Sequence, residues 1–467
     1  MKKTVIVIGA GAAGLMAGIS AARCGAKVTI LEAQELPGRK LLVTGNGRCN
    51  LTNTAKTLPE KYHGTGAALA RKLTGEFGSD ETLRFFGELG LLTQSKDGLI
   101  YPYSSQASSV LDVLLAEFRR WNGKLKFSQK IERIIDHQSE KNDANHAAAA
   151  NSTRFSVITP TWTYTADAVI LACGSKASPQ AGANDSGYSL AKSLGHTIIP
   201  LRPALVPFVC SGYFTEQEFA GVRCHAKVTL LHSESGLWTD TTTKVLASDT
   251  GELQWTQYGV SGIVIFQLSR YFMDVSDPKP EKTSRHSKLA ETRRIPADPV
   301  YYVLRIDFLP DYTRKKLKEL LLRRAAELSK EAPSVLLRGV LNGKMIPRML
   351  SRAGQGKVPK TCGELGEAFI DELIQTMKVY KLPVTGTKSF DQAQICAGGV
   401  DCRELTGRLE SKLHEGLYFA GEMLDVDGPC GGYNLQWAWT SGYLAGKYAA
   451  ERTSMENEAD WRDSNRY

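Results

Sequence analysis

The hydrophobic pattern opens with an unbroken β-branched run, Thr4–Ile8, with the length and composition of a strand buried on both faces. A glycine-rich turn follows at once. Residues 15–24 then read as an alanine-rich helix, and Gly25 suits the position just past its end. Lys27–Leu31 is a second β-branched run that ends on Glu32, completing a strand–helix–strand unit of about 30 residues. Residues 38–54 are dense in Gly, Asn and Arg and read as a loop. Helical spacing returns near 66–77, 80–89 and 107–121, and strands are predicted at 124–127, 130–136, 154–160 and 166–171. Between them, 137–153 is polar and without period, an exposed hairpin tip or insertion.

The pattern changes near residue 200. From there to about 310 the chain alternates like short β-strands, broken by a polar tract at 276–299. Helices are predicted at 312–329, 332–342, 346–353 and 362–377, followed by a return strand at 382–386. A last strand at 416–420 runs through a Gly-rich turn into a helix from Tyr433 to Ala450. No internal repeat is visible.

Composition narrows the class. The 467 residues are 42% hydrophobic and 23% charged, which suits a folded globular chain of several domains and excludes a disordered one. The uncharged stretch 4–22 imitates a membrane or signal segment, but its four glycines argue against that reading, and no other stretch is long and apolar enough to span a bilayer. Nine cysteines without a C-x-x-C pair or a close His/Cys cluster predict a reducing compartment, the cytoplasm, and no metal site. Residues 311–360 hold 13 Lys and Arg against four acids, an excess that matches the net charge of the whole chain, +9. We read this stretch as a solvated helical face and expect no nucleic-acid partner from it.

Three motifs carry chemistry. In Gly9-Ala10-Gly11-Ala12-Ala13-Gly14, the first glycine permits a tight turn off the strand. Gly11 lets the backbone approach a diphosphate, and Gly14 lets helix and sheet pack closely. The helix start offers unpaired N–H groups and partial positive charge to that anion. Glu32 stands where a carboxylate accepts from a ribose hydroxyl and repels a 2′-phosphate, leaving FAD or NAD. The second motif, Gly38-Arg39-Lys40 through Asn46-Gly47-Arg48-Cys49-Asn50, favours FAD. Such a loop wraps the adenosine and runs toward a flavin ring, and Arg39 or Lys40 would neutralise phosphate charge. In the third, Gly421-Glu422 precedes Asp427-Gly428-Pro429-Cys430-Gly431-Gly432-Tyr433-Asn434-Leu435. The acid suits ribityl hydroxyls, and the second helix start suits the charge that gathers on a reduced flavin.

The strings GAGAAGLMAG, PGRKLLVTGNGRCNLTN and GLYFAGEMLDVDGPCGGYNLQWAWTSGYLAG resemble the BaiN/aminoacetone oxidase-like family of FAD-dependent oxidoreductases. PALVPF, GELQWTQYGVSG and AQICAGGVDCREL fall in the same order, so the likeness covers nearly the whole chain. It implies an α/β fold: a Rossmann-like, glutathione-reductase-type FAD-binding domain split by an inserted β-barrel-like domain that carries a helical subdomain. The expected limits are 1–200 and 396–467 for the FAD-binding domain, 201–310 and 382–395 for the β-rich insert, and 311–381 for the helices. The resemblance puts Gly14, Glu32, Lys40, Asn46, Gly47, Asn50, Gly421, Glu422, Gly432, Asn434 and Leu435 near non-covalent FAD, with the backbone of Ile131 at the adenine. Gly9, Gly11, Ala12, Ala13, Arg39 and Asp427 join them by motif, and Ala172-Cys173-Gly174 stands where the family has an Ala-Thr-Gly-like turn. Gln257 and Ile263 depart from the His and Pro expected in the GELQWTQYGVSG string.

The implied activities are reduction of a conjugated enone, such as a 3-oxo-Δ4 steroid or bile acid, and oxygen-dependent oxidation of a small amine. No second G-x-G-x-x-G follows residue 150, so either the organic substrate reduces the flavin directly or NADH or NADPH docks transiently. An RNA-acting flavoprotein and a flavin redox sensor are the alternatives of another class. No catalytic acid or base stands out; Cys49, Cys173, Cys430 and His196 read as packing or structural groups.

Overall fold

The structure, a computed structural model, describes residues 2–55, 58–138, 153–210, 217–233, 243–272 and 301–451. Most of the polar stretch 137–153, all of the tract 276–299 and the tail past 451 lie outside the described residues. The chain divides into two compact units, Met1–Arg202 with Ile395–Tyr467, and Pro203–Gln394.

The first unit is built on a five-stranded parallel sheet in the order Leu417–Phe419, Ala168–Leu171, Thr4–Ile8, Lys27–Leu31, Lys124–Lys126. Thr4–Ile8 is central because both of its faces are apolar; Val5 pairs with Ala168 on one side and Val28 on the other. The helix Ala12–Arg23 leaves this strand and ends where Gly25 takes φ +90°, with the Ala26 amide donating to Ala21 O. Helix Tyr433–Ala450 packs against it. Gly442 and Gly446, four apart on one face, lie on the backbone of Ala13 and Ala17: an added Cβ would come within 2.4 and 2.2 Å of those carbonyl oxygens. Distant parts of the chain are thus joined by direct backbone approach. The core of this unit is continuous from Val5 through Trp437 and Trp439.

Some sequence expectations need correction. Residues 38–54 are not all loop: Gly38, at φ +67°, turns the chain into a short helix Arg39–Val43 that buries Leu41, and Thr52–Asn53 joins a small antiparallel sheet with Leu99–Pro102 and Thr93–Lys96. The strand predicted over 166–171 is two, Thr163–Ala166 and Ala168–Leu171. They divide at Asp167, whose amide leaves the smaller sheet to donate to Thr4 O at 3.0 Å.

In the second unit, six strands close into a barrel in the order Phe208–Cys210, Gly259–Ser261, Thr243–Thr256, Arg223–Ser233, Tyr302–Asp307, Tyr380–Thr387. Trp255, Phe219, Phe308 and Tyr380 fill its core, with three edge-on contacts and Trp255 stacked on Phe308. The predicted helix 332–342 is only a 3-10 turn, Pro333–Leu337, because Gly339 at φ +80° reverses the chain. The helix predicted from 362 begins at Glu367, after Gly366. On helix Arg314–Glu327, Lys318 bridges Glu367 and Asp371 at 2.5 and 2.8 Å, while exposed Lys315, Lys316 and Arg323 share the outer face with Glu319 and Glu327. No helix among the described residues is long and apolar enough to cross a membrane.

Candidate functional site

The predicted residues of the first motif converge at the carboxyl edge of the parallel sheet, where ligands of such sheets bind. Gly9 takes φ +104°, and a Cβ there would lie 2.5 Å from Ala172 O; at Gly14 it would lie 1.9 Å from Gly9 O. Both glycines are required by the protein's own packing. Gly11 is different: its Cβ would meet nothing within 4 Å. It caps a helix whose first-turn amides, from Ala12, Ala13 and Gly14, find no backbone acceptor. Open space, free amides and the helix dipole meet at one point, and that combination fits the diphosphate of FAD.

Glu32 closes one side. Its Oε2 accepts from the Ala10 amide at 2.7 Å and its Oε1 from Gln34 at 2.9 Å. Each oxygen keeps a second lone pair for a ribose hydroxyl. Glu32 forms no ion pair among the described residues. Arg39 is not gathered into the cradle; it is exposed and donates to Gln34 Oε1 and Gln180 O at 3.0 and 3.1 Å. Asn46 and Gly47 also stay exposed, in a turn with φ +55° and +82° closed by Gly47 N to Thr44 O.

The other side is a cluster. Lys40 Nζ lies 2.6 Å from Glu422 Oε2, and Ser175 Oγ donates to Glu422 Oε1 at 2.7 Å. The Cys396 amide donates to the same oxygen at 3.3 Å, so both carboxylate oxygens are held. The cluster adjoins the first helix: the Gly38 amide donates to Ala10 O at 3.0 Å, and a Cβ on Gly421 would lie 2.7 Å from the Ala13 side chain. Ser175 and the Cys396 amide escaped the sequence reading. Ser175 directly follows Ala172-Cys173-Gly174 and was within reach of it; a backbone donor leaves no side-chain signal.

The second and third motifs meet directly. With its amide oriented to match donors to acceptors, Asn50 donates to Thr52 O and Ile100 O at 3.0 and 3.1 Å and accepts from Gly432 N at 3.1 Å. Asn434 is committed to its own turn, accepting from Gly428 N at 2.9 Å and donating to Gly428 O at 2.8 Å. Asp427 is buried and pairs through its backbone with His63. Leu435 is partly buried on the helix behind the turn, Gly174 sits at φ +76°, and Ile131 is buried just before strand Arg133–Asp136.

Burial pushes the Cys49 and Cys173 thiols up to about 12, so both stay protonated at neutral pH and make poor nucleophiles. His196 is buried with both ring nitrogens engaged, Nδ1 to Glu404 at 3.0 Å and Nε2 to Ser411 at 2.8 Å, a structural histidine. Trp437 Nε1 donates to Gly421 O at 3.2 Å and Trp439 Nε1 to Leu51 O at 2.9 Å, which ties the last helix to both segments. No group of three or more His, Cys, Asp or Glu that could hold a metal occurs among the described residues.

The family described as HI0933-like protein Rossmann domain matches residues 3–448. The 3-dehydro-bile acid delta(4,6)-reductase of Clostridium scindens is 40% identical over 450 residues, covering 96% of this chain and 98% of that protein. Two ribosomal RNA dihydrouridine synthases, from Haemophilus influenzae and Escherichia coli, are 26% and 28% identical over 451 and 448 residues, each covering 94% of this chain and 96% of the relative. With this match over nearly its whole length, and with open space before free helix-start amides at the sheet edge, the chain belongs to the HI0933-like Rossmann family of FAD-dependent oxidoreductases.

Proposed function

We propose that the protein reduces a carbon–carbon double bond conjugated to a carbonyl, in a 3-oxo-Δ4 steroid or bile-acid-like substrate, with NADH or NADPH as a transient electron donor. The observation that carries this reading is the 40% identity to a 3-dehydro-bile acid delta(4,6)-reductase along almost the full length of both chains. When bound, FAD supplies the hydride carrier at its N5. The chain's own residues bind and orient. Gly9, Gly11, Ala12, Ala13 and Gly14 cradle the diphosphate, Glu32 takes the ribose, and the Ile131 backbone takes the adenine. Lys40, Asn46, Gly47, Asn50, Ala172, Gly174, Gly421, Glu422, Gly432, Asn434 and Leu435 line the rest, with Arg39 and Asp427 at its margins. The FAD-binding domain comprises 1–200 and 396–467, interrupted by a β-rich insert, 201–310 and 382–395, that carries the helical subdomain 311–381. All nine cysteines are unpaired, which supports a reducing, cytoplasmic location.

A second reading, formation of dihydrouridine in RNA, has the two dihydrouridine synthase relatives in its favour, at lower identity. Both readings ask for hydride and a proton across a double bond conjugated to a carbonyl. One experiment separates them. The protein is reduced anaerobically with NADH or NADPH and mixed, still without air, with a 3-oxo-Δ4 steroid or with ribosomal RNA; separately, the oxidised protein is given a primary amine in air. Return of the oxidised flavin band with the steroid alone is the expected result. Return with RNA alone favours the second reading, and turnover with amine and oxygen overturns both.

A further inference from the structure

The two carboxylates that flank the cradle are treated differently. Glu32 is held by backbone amides and has no cation partner among the described residues, whereas Glu422 is tied to Lys40 at 2.6 Å, and only 20% of its side chain and 27% of that of Lys40 is exposed. Ser175 and the Cys396 amide hold the remaining oxygen, so the carboxylate cannot swing away from its cation. This pair sits against the Gly9–Gly14 turn through Gly38 and Gly421. A bare carboxylate beside the free amides of the first helix would repel an anionic ligand there, and a bare lysine would attract it.

We propose that Lys40 and Glu422 form a charge-balanced couple toward the bound dinucleotide. Glu422 supplies one hydrogen-bond acceptor, the lone pair left on Oε2, without net charge, and Lys40 removes the repulsion that this acid would exert on the diphosphate. The inference rests on the FAD reading above. It predicts that the two halves act in opposite directions, whereas a merely structural ion pair predicts that losing either half does the same harm.

The test is FAD titration of the apoprotein, followed by fluorescence, for the wild type, Lys40→Met, Glu422→Gln, the double variant and Lys40→Arg, each at low and high salt. Lys40→Met leaves the acid unbalanced and should weaken FAD on the order of fivefold at low salt, the effect shrinking at high salt. Glu422→Gln, which keeps an acceptor for Ser175, should bind FAD equally or more tightly. The double variant should return to within about twofold of wild type, and Lys40→Arg should match it. Should Lys40→Met not fold, as circular dichroism reports, Lys40→Gln replaces it. Weakening by both single variants, or a double variant weaker than either, overturns the proposal while leaving the FAD reading intact. A wild-type protein that takes up no FAD overturns that reading instead.

Discussion

Gly11 and Gly14 lie three residues apart in one turn and meet opposite surroundings, so their substitution separates folding from binding. A Cβ on Gly14 would stand 1.9 Å from Gly9 O, where ordinary contact begins at 3.4 Å. The obstacle is backbone, in a turn that Gly9 already holds at φ +104°. Relief requires shifting the first helix off the sheet, at a cost of about 1–3 kcal/mol. Gly11 has φ −80° and ψ −170°, open to any residue, and nothing within 4 Å of the added carbon. Gly11→Val should therefore fold, losing about 1 kcal/mol because valine starts helices poorly. Its methyl groups would occupy the space in front of the Ala12, Ala13 and Gly14 amides. Losing two charge-assisted bonds there, at about 1.5–3 kcal/mol each, predicts a fall in FAD affinity of roughly 10²–10⁴-fold. Thermal melts of both apoproteins by circular dichroism and FAD titration by fluorescence quenching check the pair. Wild-type FAD affinity in Gly11→Val, or wild-type stability in Gly14→Ala, would refute the reasoning.

Two further predictions concern stability. Gly442→Ala and Gly446→Ala each gain helix propensity, but their methyls meet Ala13 O and Ala17 O at 2.4 and 2.2 Å, so each should destabilise the first unit by about 1–3 kcal/mol in urea unfolding; a stabilising result would contradict the close helix packing. Burial lowers the pKa of His196, so the folded protein refuses a proton that the unfolded chain accepts. Above the unfolded value of about 6.5 both states are neutral and stability is flat. As pH falls below it, stability falls until the folded value is reached. His196→Gln should flatten that part of the Tm-against-pH curve, and an unchanged slope would sink the assignment.

The N-terminal half of the site was legible because its requirements are local. Gly9, Gly11, Gly14 and Glu32 lie within one strand–helix–strand unit, where spacing along the chain translates directly into geometry. The helix Tyr433–Ala450 was equally plain, since a Gly turn marks its start. What spacing could not reveal was long-range pairing. Lys40 and Glu422 were separate candidates for a ligand, and only the fold showed that they bind each other across 382 positions. Arg39 looks like a phosphate ligand by charge alone, yet its neighbours Gln34 and Gln180 draw it outward. The turn Pro333–Leu337 stops short of a helix for a local reason present in the sequence, Gly339, which takes φ +80°; Pro333, at the first turn, is compatible with a helix start.

We propose that one FAD is held without a covalent bond against the opening turn of the first helix. Acid release of the cofactor from purified protein, followed by chromatography and protein quantitation, tests it most directly. FAD is expected in the supernatant at about one equivalent per chain. A colourless protein that takes up no FAD, FMN in place of FAD, or flavin that stays with the precipitated chain would contradict it.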